Sequence, residues 1–236
     1  MANTVLLNNI DHKDLRVITN RGAGYGDNVM FAITFPAEFR NLQAHYPIIF
    51  RKSPDGTRFE PIALLGLHEG RNLFLHGDRW EATCLPLAIE RLPFFIGVDA
   101  DELVVHVDLD SPRISTTVGE PVFLTHGGSS EFLERMNSML LAIHEGLEST
   151  PAFIAALLAH DLLESFVFDI ELANGAQHRL TGYYTINEER LHALSGSALE
   201  QLCKAGHLQA VYMAIASLSQ FRALIERQDQ AHAGVR

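Results

Sequence analysis

The spacing of apolar residues changes midway along the chain, and that change restricts the fold more than any single motif does. Up to about residue 125 the apolar residues fall in short extended runs parted by Gly- and Pro-bearing turns, whereas from Ser129 onward they recur mostly at helical spacing. Strands grouped first and helices grouped later predict an α+β fold. The strands belong to an antiparallel sheet or partial barrel rather than to repeated βαβ units.

In the β-rich part, Val29–Phe35 is a short apolar run ending at Pro36, and Ala37–His45 has helical spacing. Pro47–Arg51 and Phe59–Leu67 read as strands joined by Ser53-Pro54-Asp55-Gly56, where Pro presets φ and Gly supplies positive φ. Asn72–Leu75 is predicted as a third strand, His76-Gly77-Asp78 turns the chain toward Trp80, and Leu103–Leu109 alternates as another strand. Later, Ser129–Glu145 predicts a helix stopping near Gly146, and Thr150-Pro151 opens a second one running to about Glu164, with Pro at the tolerated first position. Asn174-Gly175 between Phe166–Leu172 and His178–Tyr184 is a strong hairpin signal. Short helices over Asn187–Leu194 and Ser197–Ala205 precede a long amphipathic helix, Leu208–Arg227, and a polar frayed tail, Gln228–Arg236. No linker parts the halves, so Thr125–Ser130 reads as a loop within one domain spanning 1–236, β-rich over 1–125 and mainly helical over 126–236.

Charge narrows the choice of partners. The formal net charge is −11, and no run concentrates Lys and Arg, so the chain lacks the basic face that neutralises phosphates. Nucleic acid and anionic membrane surfaces are therefore not expected partners. The two cysteines, Cys84 and Cys203, form neither a disulfide framework nor a paired zinc motif. The first residues have no basic n-region, and no apolar run reaches the ~20 residues of a membrane span. A cytoplasmic protein without a membrane span is expected.

Several blocks in this order resemble those of the SapC family: Asp11-His12-Lys13-Asp14-Leu15-Arg16, His45-Tyr46-Pro47-Ile48-Ile49-Phe50, Leu64-Leu65-Gly66-Leu67 with Asn72-Leu73-Phe74-Leu75, Gly119-Glu120-Pro121-Val122-Phe123, and Ala214–Gln220. The resemblance runs over nearly the whole chain. It implies a bacterial accessory or binding protein, non-catalytic, acting with a partner protein of an oxidative or uptake pathway. That partner would be halogenase-like or cupin-like. The family name also implies a surface-layer association, and the resemblance brings no established catalytic residues with it.

The residues suggest a second chemistry. In His106-Val107-Asp108-Leu109-Asp110, residues two apart share a strand face. Histidine and carboxylate at that spacing, joined by a distant histidine (His126, His144 or His178, with His178 taken here), form the facial triad of iron oxygenases. Arg190 would hold the carboxylate of a keto acid. On this alternative iron is the cofactor; on the accessory reading none is expected. A solvated edge strand explains the same pattern.

Other polar groups are weaker candidates. His68 and Arg71, with His76 and Trp80, sit on turns flanking the expected third strand and are the candidate ligand-binding set. The glycines of Arg21-Gly22-Ala23-Gly24-Tyr25-Gly26-Asp27 offer backbone N–H groups to a phosphate, or simply a flexible loop. Ser195 and Ser197 read as a helix stop and N-cap rather than a nucleophile. Tyr183, Tyr184, Tyr212 and Phe221 suit either a partner patch or the core.

Overall fold

The computed structural model describes residues 3–100, 102–173 and 175–233. In chain order the elements are β1 (Thr4–Leu6), β2 (Arg16–Val17), β3 (Phe31–Ile33), α1 (Phe39–Leu42), β4 (Ile48–Lys52), β5 (Phe59–Leu64), β6 (Leu75–His76), β7 (Arg79–Trp80) and α2 (Leu87–Glu90). They continue as β8 (Phe94–Asp99), β9 (Glu102–Asp108), β10 (Ile114–Ser115), β11 (Glu120–Pro121), α3 (Glu131–Ala159), β12 (Leu163–Glu171), β13 (Gln177–Ile186), α4 (Glu188–His192), α5 (Gly196–Lys204), α6 (His207–Ser217) and α7 (Gln220–Ala233). This is the α+β composition expected, with all strand pairs antiparallel.

The described residues gather into two compact units interleaved along the chain. The first draws on Met1–Asn28, Leu75–Trp80 and Leu87–Glu145; the second on Val29–Phe74, Glu81–Pro86 and Gly146–Arg236. The strand-to-helix change near residue 125 therefore falls inside the first unit.

The first unit holds a three-stranded sheet in the order β1-β9-β8 and another in the order β10-β2-β11. Phe94 and Val107, directly opposite on β8 and β9, meet Leu15, Val122, Phe132 and Met136 in its core. Phe132, Leu133, Met136 and Leu140 recur at helical spacing along the start of α3, so one stripe of that helix is buried. Ser130 caps this helix: its Oγ accepts from Leu133 N–H at 3.1 Å.

The second unit is built on a five-stranded sheet, β12-β13-β4-β5-β3. β4 and β5 are its apolar centre, and Ile48, Ile49, Phe50, Ile62, Ala63 and Leu64 have no exposed surface. The Ser53–Gly56 turn forms as predicted: Asp55 Oδ1 accepts from Ser53 Oγ and from Thr57, and Gly56 takes φ 73°. The β12–β13 hairpin also forms, with Gly175 at φ 81°; Asn174 lies outside the described residues. Its register slips opposite the exposed Val167: Phe166 and Phe168 pair with Tyr183 and Leu180, so the Thr181-Gly182 step of β13 carries the extra residue, with Gly182 at φ 82°. Asn187 and Ser195 cap α4 and α5 through their side chains.

Four expectations need correction. Asn72–Phe74 is not a strand: Asn72 Oδ1 accepts from Phe74 N–H at 2.9 Å, a local turn that competes with ladder pairing, and only Leu75–His76 is extended. Helix α3 neither stops at Gly146 nor restarts at Pro151, but runs through both to Ala159. Gly146 is there for space, since a Cβ would lie 2.2 Å from Phe35 Cδ2. Pro151 costs the helix one bond, the one from its missing N–H to the Leu147 carbonyl. Glu164 consequently belongs to β12 rather than to a helix. Finally, the tail is not frayed from Gln228: α7 continues to Ala233, and Phe221, Leu224 and Gln228 share its buried face.

The long C-terminal helix has two segments, α6 and α7, with a turn at Leu218-Ser219. The stretch His207–Ala231 is long and apolar enough, by length and composition, to cross a membrane. Here Ala210, Val211, Ala214, Phe221 and Leu224 are buried in the second unit, and Ser217 Oγ accepts from Ile48 N–H at 2.8 Å. A core helix explains the same hydropathy.

Candidate functional site

Because α3 continues through Pro151, its second half presents Leu147, Pro151, Ile154 and Leu158 at successive intervals of four, three and four, one stripe of a helix. Opposite that stripe lie Ile33 on β3 and Phe59 and Pro61 on β5. Between them is a groove of about 510 Å³. Its apolar wall is open to solvent: Ile33 is 38% exposed, Leu147 44% and Leu158 48%, large values for aliphatic side chains grouped at one place. Contact between Gly146 and the Phe35 ring brings α3 close beside the chain leaving β3.

Polar groups occupy the rim. Thr34 Oγ1 donates to Glu38 at 2.6 Å, and Glu60 is paired with Arg51 at 3.0 Å, so both acceptors are engaged. Arg58 is exposed and forms no ion pair among the described residues. At Leu147 the carbonyl lacks its usual helical donor because residue 151 is proline. The groove therefore offers an apolar floor, with Arg58, Glu60 and the threonines Thr34, Thr57 and Thr150 among its lining.

A family model, SapC, matches residues 7–224. The chain belongs to the SapC family. No curated protein and no solved structure matches this SapC-family chain. The match takes in both compact units and every groove-lining residue.

The sequence candidates of this SapC-family protein are not gathered at the groove. His68 and Arg71 lie in the second unit, His68 exposed and stacked on His178 with ring centroids 6.1 Å apart. His76 and Trp80 belong to the two-residue hairpin of the first unit, opposite Arg79 and Leu75 respectively. Two of the four thus belong to each unit.

Of the metal set, His106 and Asp108 are in the first unit and His178 in the second. His106 faces Gly97, whose missing side chain makes room for the imidazole: a Cβ there would be 2.9 Å from His106 Cε1. Strand β9 ends at Asp108, whose Oδ1 accepts from Asp110 N–H at 3.1 Å, so Asp110 lies in a turn instead of on the shared strand face. Among the described residues no group of three His, Cys, Asp or Glu side chains is placed to hold a metal ion. His126 is exposed, His144 is half-buried on α3, and Arg190 is exposed in α4.

The glycine-rich loop has its own anion. Asp27 is fully buried, and both its oxygens lie 2.7 Å from Arg113 Nη2. Gly22 N–H donates to Asp27 Oδ2 at 2.8 Å, which spends one amide that a phosphate would need. Arg113 Nη1 also donates to the carbonyls of Ile18 and Asn20, at 3.0 and 2.8 Å. Arg21 stands 3.7 Å from Asp27. Burial and the neighbouring Arg113 lower the pKa of Arg21, while Asp27 opposes them.

The aromatic candidates divide. Phe221 is buried against Phe166 and Phe168, and Tyr184 packs edge-on to Phe59, whereas Tyr212 is 46% exposed. Tyr183 sits opposite Arg51, and its pKa is raised mainly by burial, with Arg51 opposing and Glu69 adding. The groove is hidden in the sequence because Gly146 and Pro151 read as helix punctuation. Carrying the 3.6-residue period across them would have exposed the Leu147–Leu158 stripe.

Proposed function

We propose that this SapC-family chain is a non-catalytic accessory protein that receives an amphipathic helix of a partner protein in the α3–β3–β5 groove. The observation that carries the reading is the stripe of Leu147, Pro151, Ile154 and Leu158 facing Ile33 and Phe59 across open space. The eleven residue steps from Leu147 to Leu158 span ~16 Å at 1.5 Å each, the length of three turns of an incoming helix. Helix-in-groove recognition takes apolar anchors at i, i+3, i+4 and i+7. Arg58 at the rim, whose charge acts on nearby Asp55, favours an acidic residue beside those anchors. The family resemblance supports an enzyme of an oxidative or uptake pathway, halogenase-like or cupin-like, as the donor of that helix.

The test is affinity purification from native cells with the wild-type chain and with the Leu147→Glu, Leu158→Glu double variant. Both positions are already exposed, so folding is expected to persist, as near-wild-type circular dichroism would verify. The wild type should retain a specific partner whose recovery falls at least tenfold in the variant. Equal recovery by a folded variant would refute the groove, and a partner bound through a segment with no amphipathic helix would refute its assigned occupant.

A further inference from the structure

A second cavity, of about 350 Å³, lies wholly within the second unit, where the start of α6 meets α1 and the second half of α3. Its size is at the lower end of ligand-binding cavities, roughly 300–1,000 Å³. Pro36, Ala37 and Met213 give it accessible apolar surface, Phe153 being fully buried, and Arg40, His207 and Gln209 bring polar groups to the same space. No Asp or Glu lines it, in a chain whose acids outnumber its lysines and arginines 29 to 18.

These polar groups are not spent on one another. Among the described residues Arg40 forms no ion pair or hydrogen bond, and neither the His207 ring nor the Gln209 amide has a hydrogen-bond partner. Ser149 differs: its hydroxyl already donates to the Gly146 carbonyl at 2.9 Å, so it can only accept. His207 packs edge-on to Phe153, with centroids 5.5 Å apart, and burial lowers its pKa, which keeps the imidazole neutral at pH 7 with one N–H to give. A guanidinium matches a carboxylate in shape and charge.

We infer that this cavity binds a small carboxylic acid with an apolar body, its carboxylate on Arg40 with His207 and Gln209 as supporting donors, and its body against Pro36 and Met213. A carboxylate is preferred to inorganic phosphate because one wall is apolar and a single guanidinium supplies the charge. The site shares no role with the partner groove, so either assignment can fail alone.

The experiment is a 15N/13C NMR titration of the full chain with benzoate and hexanoate, using benzyl alcohol, benzylamine and inorganic phosphate as comparisons. The acids should produce saturable shifts at His207 and Met213. Arg40→Gln, which removes an exposed side chain without a partner, should weaken benzoate at least tenfold while leaving the rest of the spectrum in place. The Leu147→Glu, Leu158→Glu variant should bind benzoate as the wild type does. The inference is overturned if benzyl alcohol shifts the same signals as strongly as benzoate, if Arg40→Gln binds benzoate unchanged, if phosphate outcompetes both acids, or if no probe gives a saturable shift.

Discussion

The buried pair Asp27–Arg113 supports a quantitative test of how the first unit is held together. Asp27 is 0% exposed, and its two oxygens take bonds at 2.7 Å from one guanidinium that is itself 1% exposed. Asp27→Ala leaves Arg113 charged in a place water does not reach, and breaking a buried pair in this way costs about 3–5 kcal/mol. Two bonds from Arg113 to the Ile18 and Asn20 carbonyls survive, so the lower half of that range is expected. Against a typical stability of about 5–15 kcal/mol the loss is severe. With a urea slope of about 3 kcal/mol/M for a chain of this size, the midpoint followed by circular dichroism should fall by about 1 M. Arg113→Met in the same background should recover part of the loss, giving a coupling of about 2 kcal/mol in the double-mutant cycle. Gly22 N–H, bonded to Asp27 at 2.8 Å, should exchange faster in Asp27→Ala than in the wild type. A midpoint shift under about 0.3 M, or additive single and double variants, would refute the reasoning that this pair closes the loop.

Gly146→Ala should destabilise despite a helix-propensity gain of about 1 kcal/mol, because overpacking against Phe35 costs about 1–3 kcal/mol; Phe35→Leu in the same chain should restore the thermal midpoint, and a lone Gly146→Ala that raises it would contradict the close approach. Asp55 has its pKa lowered to about 2, first by the Ser53 hydroxyl and then by Thr57. Its ionised form is therefore favoured by the fold above the ordinary value of 3.8, and this contribution is lost as pH falls toward about 2. An NMR titration should show the Thr57 amide shifting over that window, and Asp55→Asn should abolish the shift. Purified without chelator, the chain is expected to carry no stoichiometric iron. Iron that disappears in a His106→Ala, Asp108→Ala variant would instead support the oxygenase alternative.

How far the sequence discloses this molecule depends on whether each signal is local. The Ser53–Gly56 turn, the hairpin around Gly175 and the cap at Ser195 are legible because a few neighbouring residues decide them. Gly146 and Pro151 misled because their reason is distant: Phe35, more than a hundred residues earlier in the chain, requires the missing Cβ. Strand β8 had no clean alternation to announce it, yet six of its residues pair with β9. The glycine-rich loop could be read as a phosphate cradle only while Arg113 was unplaced. Nor does any local pattern show that Arg40 and His207 border one cavity, since α1 and α6 are far apart in sequence.

The bulge of β13 against β12 bears on how the protein behaves in a crowded solution. A nine-residue outer strand with every amide in register would be a template on which another chain could extend the sheet. The extra residue on β13 bends the hairpin opposite Val167 and increases its twist, and exposed Glu164, Asp169 and Glu171 add like charges along the outer strand. Removing the extra residue from the Thr181-Gly182 step would straighten that edge, so the irregularity serves the chain as a guard against fibre growth.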